Sequence, residues 1–233
     1  MDWTSPTLSP ETFTQLKNTS LGKLVRDHLL TQIMAGTLQP GQALREPDLV
    51  EQLQVSRVPV REALRELESM GLVVSRKHSG VTIRELTAQE VHDLYQFRAL
   101  MDSHAGRVVT QLAKAQQAEL INKLLACTAA MDEAIDTDNA QAYYNANLQF
   151  HWLFIEYAGN QEIAKSYREV IQKLHLARVK NLSSKEHRIQ SNTEHKQIVR
   201  ALQDSHESIG GSAHCTELLA HHVINAHERL SEM

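Results

Sequence analysis

Two sets of side chains in this 233-residue chain carry the chemistry, and both are found by helical spacing. The first is basic. Arg57, Arg61 and Arg65 fall at i, i+4 and i+8, so a helix places them on one face. Val60, Leu64 and Leu67 form an apolar stripe on the same stretch. Ser56 stands where an N-cap belongs, Pro59 falls in the first turn, where no hydrogen bond is lost, and Gly71 suits a left-handed C-cap. A helix that packs along one side and aligns guanidinium groups on another suits the DNA major groove, where Arg pairs with guanine and phosphate.

The second set is imidazole. Eleven of the 13 histidines follow residue 85, and helical phase sorts them. Asn147 and His151 are one turn apart, beside Phe150 and Phe154. His195 shares a face with Ile198 and Leu202. His222 shares one with Cys215, Leu218, Leu219 and Ala226, whereas His221 falls with His214, Glu217 and Asn225 on a polar face and is the alternative. A single inward histidine is ordinarily a hydrogen-bonded core residue. Three of them, with Asn147, are more than that reading explains: a divalent metal would account for them, zinc first, nickel or manganese next, and a metal-free polar pocket is the alternative.

Arg98 is a third candidate. It lies on the stripe Val91, Leu94, Met101, Ala105, Val108 and so faces a helical interior. A buried guanidinium needs a partner. Asp102, four residues on, can supply it; alternatively Arg98 receives the carboxylate of a small bound acid. Arg178, in phase with Val170 and Leu174, is a second candidate for that role.

The elements that must position these groups follow from periodicity and turn residues. Upstream of the arginine helix, Leu21 to Ala35 reads as a helix and TLQPGQALRE as a turn around Pro40 and Gly41. Pro47 to Gln54 reads as a short second helix. Downstream, LVVSRKHSGVTIRE reads as a hairpin, with strands at 72–74 and 81–84 and a tip from Lys77 to Gly80. Arg76, Lys77 and His78 near that tip suit contact with phosphates or the minor groove. Thr87 to Glu90 is a capping box, and beyond it the pattern is helical only: 88–113, 115–136, 139–158, 161–181, 190–204 and 212–231.

The run LREPDLVEQLQVSRVPVREALRELESMGLV resembles the GntR family of bacterial transcription regulators over some thirty residues. The resemblance implies that Arg57 and Arg61 contact bases or phosphates, with Ser56 and Val58 at the groove surface. It also implies that Gly80 lets the wing approach the minor groove and that Arg45 makes a further DNA contact. Some members carry Arg where this chain has Pro47, which puts that contact in doubt. Arg65 has a plainer reading as a surface partner of Glu62, Glu66 or Glu68.

NLQFHWLFIEYAGN and TEHKQIVRAL resemble segments of the FCD ligand-binding domain of the FadR-like branch. That resemblance implies metal ligation through a position equivalent to Asn147 and through His151, His195 and His222, with small organic acids bound beside the metal. Two departures stand out. The family's Asp is replaced by neutral Asn147, which implies weaker metal binding and a site with one more positive charge. The spacings around His195 are also altered, SHESIGGSAH lengthening the last one.

These readings give an expected fold class, mostly α, with a winged helix-turn-helix followed by a helical bundle. The expected divisions are a flexible arm over 1–18, a DNA-binding domain over 19–85, and an effector-binding and dimerisation domain over 86–233. The expected function is a repressor acting as a homodimer on a palindromic double-stranded DNA operator. Its operator affinity is controlled by a small carboxylate beside a divalent metal; a metal sensor and a metal-free acyl-CoA-type sensor are the alternatives.

Composition excludes other classes. The net charge of −4 hides a division: residues 1–84 hold ten Lys and Arg against nine Asp and Glu, the remainder fourteen against nineteen. The DNA-reading part is therefore only mildly basic, and tight binding calls for two copies on one operator. No apolar run approaches the ~20 residues of a membrane span. The N-terminus lacks the basic start and apolar core of a secretory signal, and Cys127 and Cys215 read as reduced, buried thiols, so a cytoplasmic protein is expected. HExxH is absent and no carboxylate stands beside the histidines as an obvious general base, so no enzyme is expected.

Overall fold

The computed structural model describes residues 20–76, 80–178, 184–206 and 211–231. The arm expected over 1–18, Lys77 and His78 at the wing tip, and the Arg178 side chain lie outside the described residues. The chain divides into two compact units: residues up to 87 together with 171–178, and residues 88–170 together with the chain from 184 onward.

The first unit holds helices α1 (Leu21–Met34), α2 (Glu46–Leu53) and α3 (Arg57–Ser69) and strands β1 (Ala43–Leu44), β2 (Val73–Arg76) and β3 (Gly80–Ile83). The strands form an antiparallel sheet in the order β1-β3-β2, with Val74 and Ala43 both opposite Thr82. The apolar stripes read from the sequence meet in one core: Val25, Leu29 and Ile33 from α1, Leu49 and Leu53 from α2, Val60, Leu64 and Leu67 from α3, and Leu72 and Ile83 from the sheet. Truncating any of these leucines to Ala would remove about 2–5 kcal/mol.

Two turns set the pose of α3. Gln54 ends α2 in the left-handed region (φ 53°), and Val55 and Ser56 lead into the next helix. At the far end Gly71 has φ 73°; its N–H donates to Glu68 O and that of Leu72 to Leu67 O, the paired bonds of a Schellman motif. Ser56 occupies the N-cap with extended backbone, but its exposed hydroxyl makes no capping bond. Strand β1 was not legible in TLQPGQALRE, because two residues carry no period and the pairing partner, β3, is supplied by the fold.

Among the described residues the second unit is helical: α4 (Ala88–Val109), α5 (Lys114–Asp136), α6 (Ala140–Tyr157), the first part of α7 (Gln161–Arg178), α8 (Lys185–Gln203) and α9 (Gly211–Ser231). α9 packs on α4 and α8, α5 on α6 and α8, and α4 on α6. The α4–α9 approach is close at Gly106, where a Cβ would come within 2.7 Å of Leu219 Cδ1. α8 begins five residues earlier than its periodicity suggests; Ser184 caps it by accepting from His187 N–H. Cys127 and Cys215 are free and buried, and burial pushes their thiols up to about 11 and about 12. No helix among the described residues is long and apolar enough to cross a membrane.

Candidate functional site

The inward histidines converge. His151 on α6, His195 on α8 and His222 on α9 are all buried, and each can offer one ring nitrogen such that the three atoms lie within 4.8 Å of one another. Nε2 of His195 is 3.4 Å from Nε2 of His151. The rings of His195 and His222 are 4.2 Å apart at their centroids, and Phe150 closes one side at 4.4 Å from His195. His221 is exposed, so the choice left open between the two neighbours falls on His222. Asn147 is buried one turn before His151 on the same helix.

The opposite ring nitrogens are held by carboxylates. Asp102 Oδ1 lies 2.8 Å from His151 Nδ1, and Glu194 Oε2 lies 2.6 Å from His222 Nδ1. Each carboxylate is tied in turn to an arginine. Arg98 Nε lies 3.4 Å from Asp102 Oδ2 and donates to the Tyr167 hydroxyl at 3.2 Å. Arg229 grips Glu194 with both terminal nitrogens at 2.9 and 3.0 Å, and Asn225 adds a bond at 3.1 Å. The sequence offers no carboxylate beside the histidines as an obvious general base; Asp102 and Glu194 stand there, bonded to the remote ring nitrogens. Asp102 is 49 positions from its histidine and Glu194 is 28 from its own, so only packing brings them together. Glu194 was missed; its sequence signal was adjacency to His195, but it serves His222 instead.

Electrostatics assign the protons. Burial, aided by the Arg98 guanidinium, pushes His151 down to about 3. Burial likewise holds His195 well below its ordinary value and lowers His222. Burial works against ionisation of Asp102, but His151 and Arg98 outweigh it and keep the carboxyl below its ordinary value. Because Arg98 supplies the permanent positive charge, we assign Asp102 as carboxylate and His151 as neutral. Burial also opposes ionisation of Glu194, yet bonds from His222 and Arg229 hold it at about 2. Nδ1–H of His151 and of His222 then donate to their carboxylates, which leaves each Nε2 as an acceptor, that of His151 within hydrogen-bond distance of His195 Nε2. His195 Nδ1 is buried without a hydrogen-bond partner.

These donors fit a metal ion. Ligands ~2.0–2.1 Å from zinc in a tetrahedron stand about 3.3–3.4 Å apart, close to the 3.4 Å between the two Nε2 atoms. Carboxylates on the remote ring nitrogens are the usual means of fixing the tautomer of a metal-ligating histidine. As bases for catalysis, both carboxylates are already committed to Nδ1 atoms and arginines.

On the first unit, Arg57, Arg61 and Arg65 are exposed along α3, with Ser56 and Val58 exposed at its start and Arg45 exposed at the N-cap of α2. Arg61 Nε donates to Glu46 Oε2 at 2.8 Å. Among the described residues Arg65 forms no ion pair with Glu62, Glu66 or Glu68; Glu66 pairs with Arg26 and Glu68 accepts from the Ser75 N–H. Gly80 has φ 78° with open space around it at the start of β3.

Comparison with known proteins bears on both units. Residues 21–83 match the family of bacterial regulatory proteins, gntR family, and residues 93–222 match the FCD domain. The Nta operon transcriptional regulator of Aminobacter aminovorans is 27% identical over 84% of this chain and 87% of its own. The gluconate operon transcriptional repressor of Bacillus licheniformis is 29% identical over 58% of this chain and 54% of its own. Among solved structures, a GntR transcriptional regulator from Rhodococcus sp. RHA1 superposes with a TM-score of 0.77 at 23% identity, covering 92% of this chain and 99% of that one. E. coli McbR/YncC gives 0.74 at 20% identity, over 92% and 98%. At these identities the structural likeness speaks for the fold.

Proposed function

This chain belongs to the GntR family of transcriptional regulators, with an FCD domain after its winged helix, and from that premise we propose that it is a metabolite-responsive repressor. Residues 19–85 read DNA, with α3 in the major groove, Arg57, Arg61 and Arg65 toward bases and phosphates, Ser56, Val58 and Arg45 at the contact surface, and the wing at Gly80 beside the minor groove. Residues 86–233 bind the effector and join two copies, so that a homodimer spans a palindromic operator. Arg178, Lys77 and His78 keep the roles the sequence suggests for them.

The observation that carries the control mechanism is the buried three-histidine cluster with its two remote carboxylates. His151, His195 and His222 would hold a divalent ion, zinc first, with Asn147 as the further oxygen donor. Such an ion supplies a positive centre for an anionic ligand. Asp102 and Glu194 are each balanced by an arginine and Asn147 is neutral, so neither carboxylate is left to offset the ion's charge. A small carboxylate supports that balance. Arg98, lying beside the cluster, is the side chain suited to its second contact. The acid binds one placement of the DNA-reading units better than another and shifts operator affinity by that difference.

The test is elemental analysis of purified protein before and after chelation, then operator binding with and without a panel of small carboxylates. One equivalent of metal and an acid that weakens operator binding are expected. Binding that changes on metal removal alone, with no acid present, would make the metal the signal instead.

A further inference from the structure

Of the three arginines aligned on α3, the middle one is tethered. Arg61 Nε donates to Glu46 Oε2 at 2.8 Å, across from the first turn of α2. Arg57 and Arg65 have no ion pair among the described residues. The Arg61 side chain remains 56% exposed and that of Glu46 34%, so the bond orients the guanidinium without covering it. Neither terminal nitrogen of Arg61 has a hydrogen-bond partner among the described residues.

A carboxylate on this surface is costly if the surface meets DNA. It follows exposed Arg45 in the chain, bonds exposed Arg61, and would approach phosphates of like charge. Its place in the first turn of α2 favours the helix dipole, but Asp48 lies in that same turn. As a plain surface ion pair it would contribute little to stability. A different gain offsets the repulsion. With Nε engaged, the guanidinium loses rotation about its last bond, and the two terminal N–H groups are presented together as a fork. That end-on fork is one that fits the O6 and N7 acceptors of guanine.

We infer that Glu46 is a positioning residue for sequence reading: through the bond to Arg61 Nε it directs the Arg61 terminal nitrogens at a guanine, lowering general DNA affinity in exchange for discrimination. The inference rests on the proposal that α3 enters the major groove. A chain without Glu46 would keep Arg61 as a cation but lose its fixed aim, so it would grip phosphates more freely and choose bases less well.

The experiment uses the full-length protein. Duplexes enriched by the wild type from a random-sequence pool supply the specific site, and an unrelated duplex of equal length supplies the reference. Both affinities are measured for the wild type, Glu46→Gln, Arg61→Ala and the double variant at two salt concentrations, with thermal melting of each. Glu46→Gln is expected to lower the ratio of specific to general affinity about tenfold. Its melting point should hold, and preference should relax at one base pair. In the Arg61→Ala background the same change should have no further effect on the ratio.

An unchanged ratio overturns the inference, as does an equal gain in both affinities, which would mark Glu46 as a source of repulsion alone. The same loss in the Arg61→Ala background also overturns it, because the effect would not then pass through Arg61. A wild type that enriches no sequence overturns the operator reading itself, and the role of Glu46 with it.

Discussion

Asp102 Oδ1 lies 2.8 Å from His151 Nδ1, and the same carboxylate faces Arg98 through its other oxygen at 3.4 Å. One side chain thus fixes a histidine tautomer and supplies the counter-charge of a buried guanidinium. Glu194 repeats the arrangement between His222 and Arg229. Two of the three imidazoles are therefore set as neutral donors by the same device.

Metal retention should depend on these carboxylates as well as on the ligands. Asp102→Asn or Glu194→Gln is expected to weaken metal affinity about 10–100-fold, measured by competition with a chromogenic chelator. His151→Ala combined with His195→Ala should leave no bound metal by elemental analysis. Stoichiometric metal in that double variant would place the ion elsewhere.

Arg98→Met should be strongly destabilising. It leaves the fully buried Asp102 without its permanent counter-charge and the Tyr167 hydroxyl without its donor. A loss of about 3–5 kcal/mol in denaturant unfolding is expected. A loss under about 1 kcal/mol would show that the buried network rearranges easily.

The metal-free protein should weaken in acid in two stages. In the unfolded chain the three imidazoles return to about 6.5, whereas in the native state all are lower and His151 is about 3. Below about pH 6.5 the unfolded chain binds more protons than the native one, so stability falls as pH falls. Glu194 adds a second loss from about 4.5 downward, because its native value is about 2. Melting points should hold from pH 8 to 7 and then decline. A flat profile to pH 5 would contradict the assignment of three neutral histidines.

Arg57→Ala should weaken operator binding by about 1–3 kcal/mol without changing oligomeric state in sedimentation. Arg57 is exposed and its loss removes nothing from the α3 core, so melting should stay constant. Unchanged affinity for the enriched site would remove Arg57 from the contact surface.

Gly71→Ala should cost about 1–2 kcal/mol, since φ of 73° places a Cβ in the left-handed region. Hydrogen exchange should rise first at Leu72 and Gly71, whose N–H groups close the end of α3.

Much of this was legible in one dimension because it depends on local period. The stripe Val60, Leu64, Leu67 and the opposed Arg57, Arg61, Arg65 are consequences of 3.6 residues per turn, whatever the rest of the chain does. The inward phases of His151, His195 and His222 follow from the same rule, as does the outward phase of His221. The sequence by itself therefore determined the fold class and which faces carry the chemistry. Tertiary structure decided which groups meet across those faces. Strand β1 exists only because β3 lies beside Ala43 and Leu44. Glu194 bonds the outer nitrogen of the α9 histidine while its sequence neighbour His195 enters the cluster between His151 and His222, because adjacent helical residues point about 100° apart. Asp102 reaches His151, and Glu46 reaches Arg61, across distances along the chain that no local period encodes. Periodicity sets the direction of a side chain from its own helix axis; what stands in that direction depends on helix packing, which arises only when the whole core closes.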